Sequence, residues 1–262
     1  MTPEAKKLFN HIKRKTGKAI GDFSLIEAGD RIAVGVSGGK DSYTLLHILE
    51  ALRKKAPIPF ELIAINIDPG FPGYHKELIE QHLQQYHFNY QMVAMNSYQI
   101  IEEKLRPGTS YCAFCARLRR GSLYAQAEKY NCNKIALGHH LDDVIETLLL
   151  NQFYSGALAA MAAKLQADNS KNTVIRPLIY VEEAEIQEFC NLYNFPIVNC
   201  SCPVVGAVDQ KRQRMKQLVH DLAKEIPEIR NSMIGAIKNI HPRELLDLKL
   251  LSHDEKRSHS ST

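Results

Sequence analysis

Residues 31–42 read RIAVGVSGGKDS, and this stretch decides the fold. Its first six residues are mostly apolar, which is typical of a strand buried on both faces of a parallel sheet. The two glycines, Gly38 and Gly39, allow a tight turn. From Asp41 to about Lys54 the apolar side chains recur at helical spacing. The stretch therefore predicts a buried strand, a glycine turn and a helix, in that order.

Strand and helix patterns alternate outward from this unit. Further strands are predicted at 61–67, 90–95, 134–138 and 174–178. Helices are predicted at 1–20, 74–88, after a loop at 105–112, at 142–154, at 182–193, and as a basic stretch at 210–240. This alternation predicts an α/β fold with a doubly wound parallel sheet.

The same patterns predict the organisation of the chain. We expect an N-terminal helical segment over 1–24, a catalytic domain over 25–208 and a basic helical region over 209–250. The polar tail, 251–262, is expected to be disordered.

Composition limits the class of protein. The chain has 262 residues, 45% hydrophobic and 24% charged, which is ordinary for a globular protein. It contains no apolar run of 18 residues, so no membrane span is predicted. The N-terminus lacks the apolar segment of a secretory signal, and we therefore expect a cytoplasmic protein.

The net charge of +4 favours a nucleic-acid partner only slightly, but the basic residues are clustered. Clustered bases are typical of phosphate-backbone contacts, although a solvated helix face would give the same pattern. The candidate nucleic-acid-binding residues are Arg117, Arg119 and Arg120 in one cluster and Lys211, Arg212, Arg214 and Lys216 in the other.

The turn SGGKDS, residues 37–42, has the chemistry of a phosphate site. A helix N-terminus has unpaired N–H groups, and its dipole favours an anion. Ser37 and Ser42 add hydroxyl donors, Lys40 adds a positive charge, and Asp41 is a candidate Mg²⁺ ligand or a partner of the helix dipole. The turn is not a Walker A loop, which needs four residues between its first glycine and Gly-Lys-Ser/Thr.

A second motif, GHHLDD at 138–143, also follows a predicted strand and opens a helix. Its carboxylates, Asp142 and Asp143, could hold Mg²⁺ or order a nucleotide, whereas the alternative is a simple helix cap. Ligands of open α/β sheets bind at the carboxyl ends of the strands. Residues 65–68, INID, end another strand at this edge and are candidate adenosine contacts.

Together these two motifs resemble the PP-loop (N-type ATP pyrophosphatase) superfamily. Its members cleave ATP between the α- and β-phosphates and adenylate a carbonyl oxygen, with pyrophosphate on the loop. The resemblance implies catalytic roles for Lys40, Asp41 and Asp142. It implies ATP contacts from Ser37, Gly38, Gly39, Lys40, Asp41, Ser42, Gly138, His139 and Asp143.

The six cysteines fall into two pairs and two isolated residues, Cys132 and Cys190, which we expect to be structural. Cys112 and Cys115 form a C-x-x-C pair, and the other pair is Cys200 with Cys202. In a reducing compartment such pairs indicate metal binding or catalysis. A zinc site is one option, although the second pair is spaced more tightly than usual zinc ligands. An iron–sulfur cluster with three thiolates is the other.

A narrower resemblance is to the tRNA 2-thiocytidine synthetases. It rests on residues 111–154, the IRPL segment at 175–178 and the basic helix. The resemblance spans roughly residues 25–245. It implies a [4Fe-4S] cluster held by Cys112, Cys115 and one later cysteine. Cys202 is preferred over Cys200 because it precedes a Pro-Val pair, as in related members.

The resemblance also implies the reaction and its partners. With ATP and Mg²⁺, the enzyme would adenylate the C2 oxygen of the cytidine at position 32 in a tRNA anticodon loop. Sulfur carried on the open iron would then displace AMP. The partners implied are tRNA and a sulfur donor such as a cysteine desulfurase, with a homodimer expected.

Other interpretations stay open. The chain could be a PP-loop enzyme that thiolates uridine, or a non-catalytic iron–sulfur or zinc module that binds RNA. A cysteine persulfide could carry the sulfur in place of the cluster. A lysidine synthetase shares the loop but would not need Cys112 and Cys115.

Overall fold

The computed structural model describes most of the chain. The described residues are 2–95, 100, 101, 103, 111–167, 171–198 and 210–247, with only the backbone of 112 and 113.

Six strands form one sheet in the order β3-β2-β1-β4-β6-β5. All neighbouring pairs are parallel except the pair of β5 with β6, which is antiparallel at the sheet edge. The predicted doubly wound α/β fold is thereby confirmed. The strands are β1 Arg31–Gly35, β2 Glu61–Asp68, β3 Tyr90–Ala94, β4 Lys134–Ala136, β5 Lys164–Gln166 and β6 Thr173–Ile175.

The helices follow the predicted alternation with strands. Their bounds are α1 Pro3–Asp22, α2 Lys40–Arg53, α3 Lys76–Gln85, α4 Tyr111–Lys129, α5 Leu141–Leu150, α6 Glu183–Tyr193, α7 Gln210–Glu225 and α8 Ile229–Lys238. A π-helical turn, Asn151–Ser155, follows α5, and a 3₁₀ turn spans Pro242–Glu244. None of the described helices combines the length and apolar composition that crossing a bilayer requires.

Some elements differ from the sequence-based expectation. Helix α5 ends at Leu150, where the backbone changes to the π-helical turn, instead of continuing to residue 154. The basic stretch at 210–240 is two helices, because Pro227 lies between α7 and α8 and cannot donate a backbone hydrogen bond. Strand β5 was not expected, since its three exposed residues are too few to show a period.

The strand order creates a switch point between β1 and β4. From β1 the chain proceeds to β2 on one side, whereas β4 lies on the other side. The register pairs Val34 with Ala136, so the loops that follow the two strands are neighbours. Open α/β sheets bind their ligands at such a point, and here both sequence motifs begin.

The chain divides into two compact units. The first, Met1–Met215, contains the whole sheet, helices α1 to α6 and the start of α7. The second, Lys216–Thr262, contains the rest of α7 and α8.

Two buried histidines lie in an aromatic part of the core. The Nε2 atoms of His47 on α2 and His82 on α3 are 2.9 Å apart. Burial lowers the pKa of His47 to about 3, with the charge of His82 adding to the effect, and lowers the pKa of His82 to about 4. Both rings are therefore neutral at pH 7. The aromatic rings within 6 Å of His47 belong to Tyr86, Phe88, Tyr193 and Phe195.

This pair should make stability depend on pH. The folded-state pKa values lie below the ordinary value, so the unfolded chain binds more protons below about pH 6.5. The contribution of this pair to stability is therefore complete above about pH 6.5, and it is lost as the pH falls towards the folded-state pKa values. We expect a decrease from about pH 7 to about pH 5 to reduce the free energy of unfolding by about 2 kcal/mol per histidine.

Chemical denaturation of the double variant His47→Phe/His82→Leu at both pH values measures this effect. The variant should lose the part of the pH-dependent difference that this pair contributes, about 4 kcal/mol, whatever its stability at pH 7. His75→Gln, at an exposed position, is the control and should retain it. A double variant with the wild-type pH dependence would contradict the prediction.

Candidate active site

The glycine turn is held by the end of β2 and the segment behind it. The Asn66 side-chain amide donates to the Val36 carbonyl at 2.7 Å and to the Tyr74 hydroxyl at 2.8 Å. The Tyr74 hydroxyl donates to the Ser37 carbonyl at 3.4 Å. Asp68, at the end of the same strand, pairs with Lys76 at 2.9 Å. Asn66 and Asp68, two of the candidate adenosine contacts, therefore also stabilise the segments around the turn.

Gly38 requires glycine for two independent reasons. Its φ is +85°, a left-handed conformation that side chains rarely adopt. A Cβ at this position would also lie 2.9 Å from Ile79 Cδ1 and 2.9 Å from Val198 Cβ. In addition, the Val198 N–H donates to the Gly38 carbonyl at 3.0 Å. The turn is therefore packed tightly against Ile79 of α3 and against Val198.

The hydroxyl of Ser42 closes the turn from inside. The Ser37 N–H donates to Ser42 Oγ at 3.2 Å, and Ser42 Oγ donates to the Gly39 carbonyl at 2.8 Å. The Gly39 N–H donates to Ser37 Oγ at 3.4 Å. Both serines, which the sequence suggested as phosphate donors, thus shape the loop before any ligand is considered.

Lys40 lies between two carboxylates. Its Nζ is 3.1 Å from Asp41 Oδ1 and 3.2 Å from Glu183 Oε1. Burial lowers the pKa of Lys40, but attraction by Asp41 and Glu183 outweighs burial and raises the pKa above its ordinary value. The ammonium therefore stays charged at neutral pH. Nothing in the sequence around Glu183, an acid in the first turn of α6, distinguishes it from a residue that only stabilises the helix.

The two sequence motifs meet around His140. Its Nε2 lies 3.9 Å from Asp41 Oδ1 and 3.5 Å from Asp143 Oδ2, and its Nδ1 lies 3.8 Å from Asp142 Oδ2. The His140 N–H donates to Asp143 Oδ2 at 3.0 Å, and the Glu183 N–H donates to Asp142 Oδ2 at 2.7 Å. The structure therefore brings the Asp41 carboxylate close to those of Asp142 and Asp143, which lie far along the sequence from it.

Gly138 allows this close approach. A Cβ at this position would lie 3.0 Å from both the carbonyl carbon and the carbonyl oxygen of Asp41. Because those atoms belong to the backbone of α2, they cannot move aside cheaply. A side chain at position 138 would push the two motifs apart.

His139 is held in one neutral form. Burial lowers its pKa to about 4, with Asp143 opposing this shift and Arg176 among the cations that add to it. The Arg176 Nε–H donates to His139 Nδ1 at 3.1 Å. Arginine has only donors, so Nδ1 must be the acceptor and the imidazole proton lies on Nε2. Arg176, part of the IRPL segment, is thus a positioning residue whose partner the sequence does not reveal.

The carboxylates suit a magnesium ion only in combination with phosphate. Among the described residues, no three side chains of His, Cys, Asp or Glu are arranged so that they could hold a metal by themselves. Mg²⁺ typically binds one or two carboxylates together with substrate phosphates and water. Asp41 Oδ1 is buried and accepts no hydrogen bond from the described residues, although Lys40 Nζ lies 3.1 Å away. This oxygen fits such an ion.

The C-x-x-C pair lies in the first turn of α4. This helix connects parallel strands β3 and β4, so its first turn lies at the carboxyl edge of the sheet, where the phosphate turn also lies. Cys115 is buried in a small apolar cluster with Phe71 and Ile101. The side chain of Cys112, and all of Cys200 and Cys202, lie outside the described residues, so the cluster ligands stay a prediction.

The other two cysteines, Cys132 and Cys190, are buried, as expected for structural thiols. Burial raises the pKa of both thiols, so they are poor nucleophiles.

The basic residues have different environments. The Arg117 and Arg120 side chains of α4 are exposed and that of Arg119 is half-buried, while Lys211, Arg214 and Lys216 of α7 are exposed. Arg212, by contrast, is bonded to α5. Its Nε donates to Glu146 Oε2 at 2.6 Å, and its Nη2 donates to Asp143 Oδ1 at 2.9 Å. The Arg212 guanidinium, a candidate phosphate contact, is therefore already held by protein carboxylates.

Comparison with known proteins identifies the family of the chain. The PP-loop domain family matches residues 8–199. The tRNA-cytidine(32) 2-sulfurtransferase of Syntrophotalea carbinolica is 61% identical over 244 residues, which cover 93% of this chain and 94% of the relative. The enzyme of the same name from Geobacter metallireducens is 55% identical over 245 residues, with 94% and 95% covered.

A solved structure supports the fold. The U34-tRNA thiolase NcsA from Methanococcus maripaludis, solved with its [4Fe-4S] cluster, matches with a TM-score of 0.72 and 23% identity. The match covers 88% of this chain and 77% of the thiolase. Because the sequence relatives match over nearly their whole length and the phosphate turn is intact, the chain belongs to the PP-loop family and, within it, to the tRNA-cytidine(32) 2-sulfurtransferases.

Proposed function

We propose that this chain uses ATP to replace the C2 oxygen of cytidine 32 in a tRNA anticodon loop with sulfur. The observation that carries the proposal is that two different chemistries share one edge of the sheet. The phosphate turn ends β1 at this edge, and the helix that bears Cys112 and Cys115 begins there. One bound cytidine could therefore be activated and thiolated without leaving the site.

In the first step the turn binds the ATP polyphosphate. The N-terminus of α2 offers N–H groups and a favourable dipole, and Lys40 adds a charge that persists at neutral pH. Asp41 would hold Mg²⁺, which supplies further neutralisation of the phosphates. Glu183 keeps Lys40 directed at the turn through their 3.2 Å ion pair.

Adenylation then makes the C2 oxygen a leaving group. The cytidine O2 attacks the α-phosphorus, an O–P bond forms, and the bond from the α-phosphorus to the bridging oxygen breaks to release pyrophosphate. The negative charge that develops on the phosphoryl oxygens needs fixed donors nearby. Lys40 and the Nε2–H of His139 are suited to this task, because Arg176 fixes the His139 proton on Nε2.

Sulfur replaces the adenylated oxygen in the second step. A sulfur nucleophile attacks C2, and the C2–O bond breaks with AMP as the leaving group. A [4Fe-4S] cluster held by Cys112, Cys115 and Cys202 would supply the place where this sulfur is kept. The apolar neighbours of Cys115 suit such a cluster, since limited access of water is one of the factors that set its potential.

Removal of the lysine charge should stop the reaction at its first step. In Lys40→Ala we expect ATP-dependent formation of 2-thiocytidine to fall by about 100-fold or more, because a preorganised charge at the phosphates is lost. Release of pyrophosphate measures the first step, and mass spectrometry of tRNA nucleosides measures the second. Lys54→Ala, at an exposed position just after the same helix, is the matched control. Full activity in Lys40→Ala would contradict this assignment.

The identity of the third cluster ligand can be tested with two neighbouring thiols. Protein reconstituted without oxygen should bind about four irons per chain. Cys202→Ser should lose iron and thiolation together, whereas Cys200→Ser should keep most of both. Cys202 is the expected ligand because it precedes Pro203 and Val204, as in related members, and proline disfavours helical conformations of the residue before it.

Other outcomes of this experiment point to different chemistry. The reverse pattern would assign the ligand to Cys200, and loss of iron in both variants would favour a site with four cysteines. Stoichiometric zinc in place of iron would remove the cluster from the proposal. Thiolated uridine in place of cytidine, detected by the same nucleoside analysis, would reassign the substrate.

A further inference from the structure

The π-helical turn after α5 presents two aromatic side chains to solvent. The turn spans Asn151–Ser155 and ends at Gly156, whose φ of +61° is left-handed. Phe153 is 58% exposed and Tyr154 is 49% exposed, which is unusual for rings of this size. Single π-helical turns appended to α-helices are frequent at functional sites.

The turn is connected to the active site through consecutive residues of α7. Lys211 Nζ lies 4.7 Å from the centroid of the Tyr154 ring. The next residue, Arg212, forms ion pairs with Asp143 in the first turn of α5 and with Glu146 in the second. Along the helix axis, Tyr154 lies about 18 Å from Asp142. The aromatic turn is therefore near the active site but separate from it.

The charges around the turn suit a polyanion. Residues 147–167 contain no Asp or Glu, so no carboxylate of this segment would repel a phosphate. Lys211 and Arg214 are exposed on α7. Arg120 of α4 is close enough to Arg176, beside the active site, to lower the pKa of Arg176, after the larger effect of burial.

We propose that Phe153 and Tyr154, with Lys211 behind the Tyr154 ring, form a stacking platform for unpaired bases of the tRNA anticodon loop. Proteins bind single-stranded nucleic acid by combining basic residues with aromatic rings on which bases stack. Lys211 occupies one face of the Tyr154 ring, and a cation there strengthens the contact through the ring quadrupole. The other face can receive a base.

This inference rests on the proposed function and specifies how the protein would hold the tRNA during the reaction. The active site takes the target cytidine, while the platform takes other bases of the same loop and thereby fixes its orientation. An exposed apolar patch can also be an interface between protein copies. The cation on the Tyr154 ring and the absence of acids favour RNA over a second copy.

The test uses the full chain and an anticodon stem-loop RNA with 2-aminopurine at successive loop positions. In the wild-type protein, fluorescence should be quenched at one position or more as the base stacks. Tyr154→Leu and Phe153→Leu should lose this quenching and weaken RNA binding on the order of 10- to 100-fold. ATP affinity without RNA should not change, because neither ring touches the nucleotide site. Tyr154→Trp should retain both quenching and affinity.

Matched controls separate the possible failures. Leu158→Ala changes an equally exposed aliphatic residue of the same segment and should leave RNA affinity unchanged. Wild-type affinity and quenching in Tyr154→Leu, with thiolation intact, would overturn the platform alone. No RNA binding by the wild-type protein would overturn the platform together with the proposed function. A change of oligomeric state in Tyr154→Leu, measured by sedimentation, would assign the patch to a protein interface instead.

Discussion

The close contact between the Gly138 backbone and the first turn of α2 is the constraint on which the site depends. A Cβ at position 138 would lie 3.0 Å from the Asp41 carbonyl, so only a glycine lets the loops after β1 and β4 approach this closely without a shift of the α2 backbone. The parallel register of these strands brings the loops to the same level. As a result, Asp41 of one motif lies 3.9 Å from His140 of the other, which also lies near Asp142 and Asp143.

Charge balance is the second organising feature of the site. Lys40 is held by Asp41 and Glu183, and Arg212 is held by Asp143 and Glu146. Each cation is thus fixed by protein carboxylates, and an incoming phosphate must compete with them. Such preorganisation places charge where a transition state will need it, and little reorganisation is required during the reaction. It also explains why a lysine that is largely buried keeps its proton.

Much of the fold and the existence of the phosphate turn could be predicted from local sequence patterns. Strand β2 begins at Glu61, as predicted, and ends one residue later than expected. Its bounds could be predicted closely because a long apolar run is a strong signal of a buried strand. Strand β5 has three exposed residues and gives none. The contacts of Lys40 with Glu183 and of His139 with Arg176 could not be predicted either. Glu183 and Arg176 lie far along the chain, and one sequence contains no record of which distant residues meet.

Helix α7 gives the two sites a physical connection. Lys211 contacts the aromatic turn and Arg212 contacts the carboxylates at the start of α5, and the two residues are consecutive. A displacement of this part of the helix by RNA would therefore change the hydrogen bond that Arg212 donates to Asp143. Asp143 in turn accepts the His140 N–H at the nucleotide site. By linkage, any factor by which tRNA changes the affinity for ATP must equal the factor by which ATP changes the affinity for tRNA. Under such a displacement, a single arginine between two carboxylates would make the binding of ATP and tRNA interdependent.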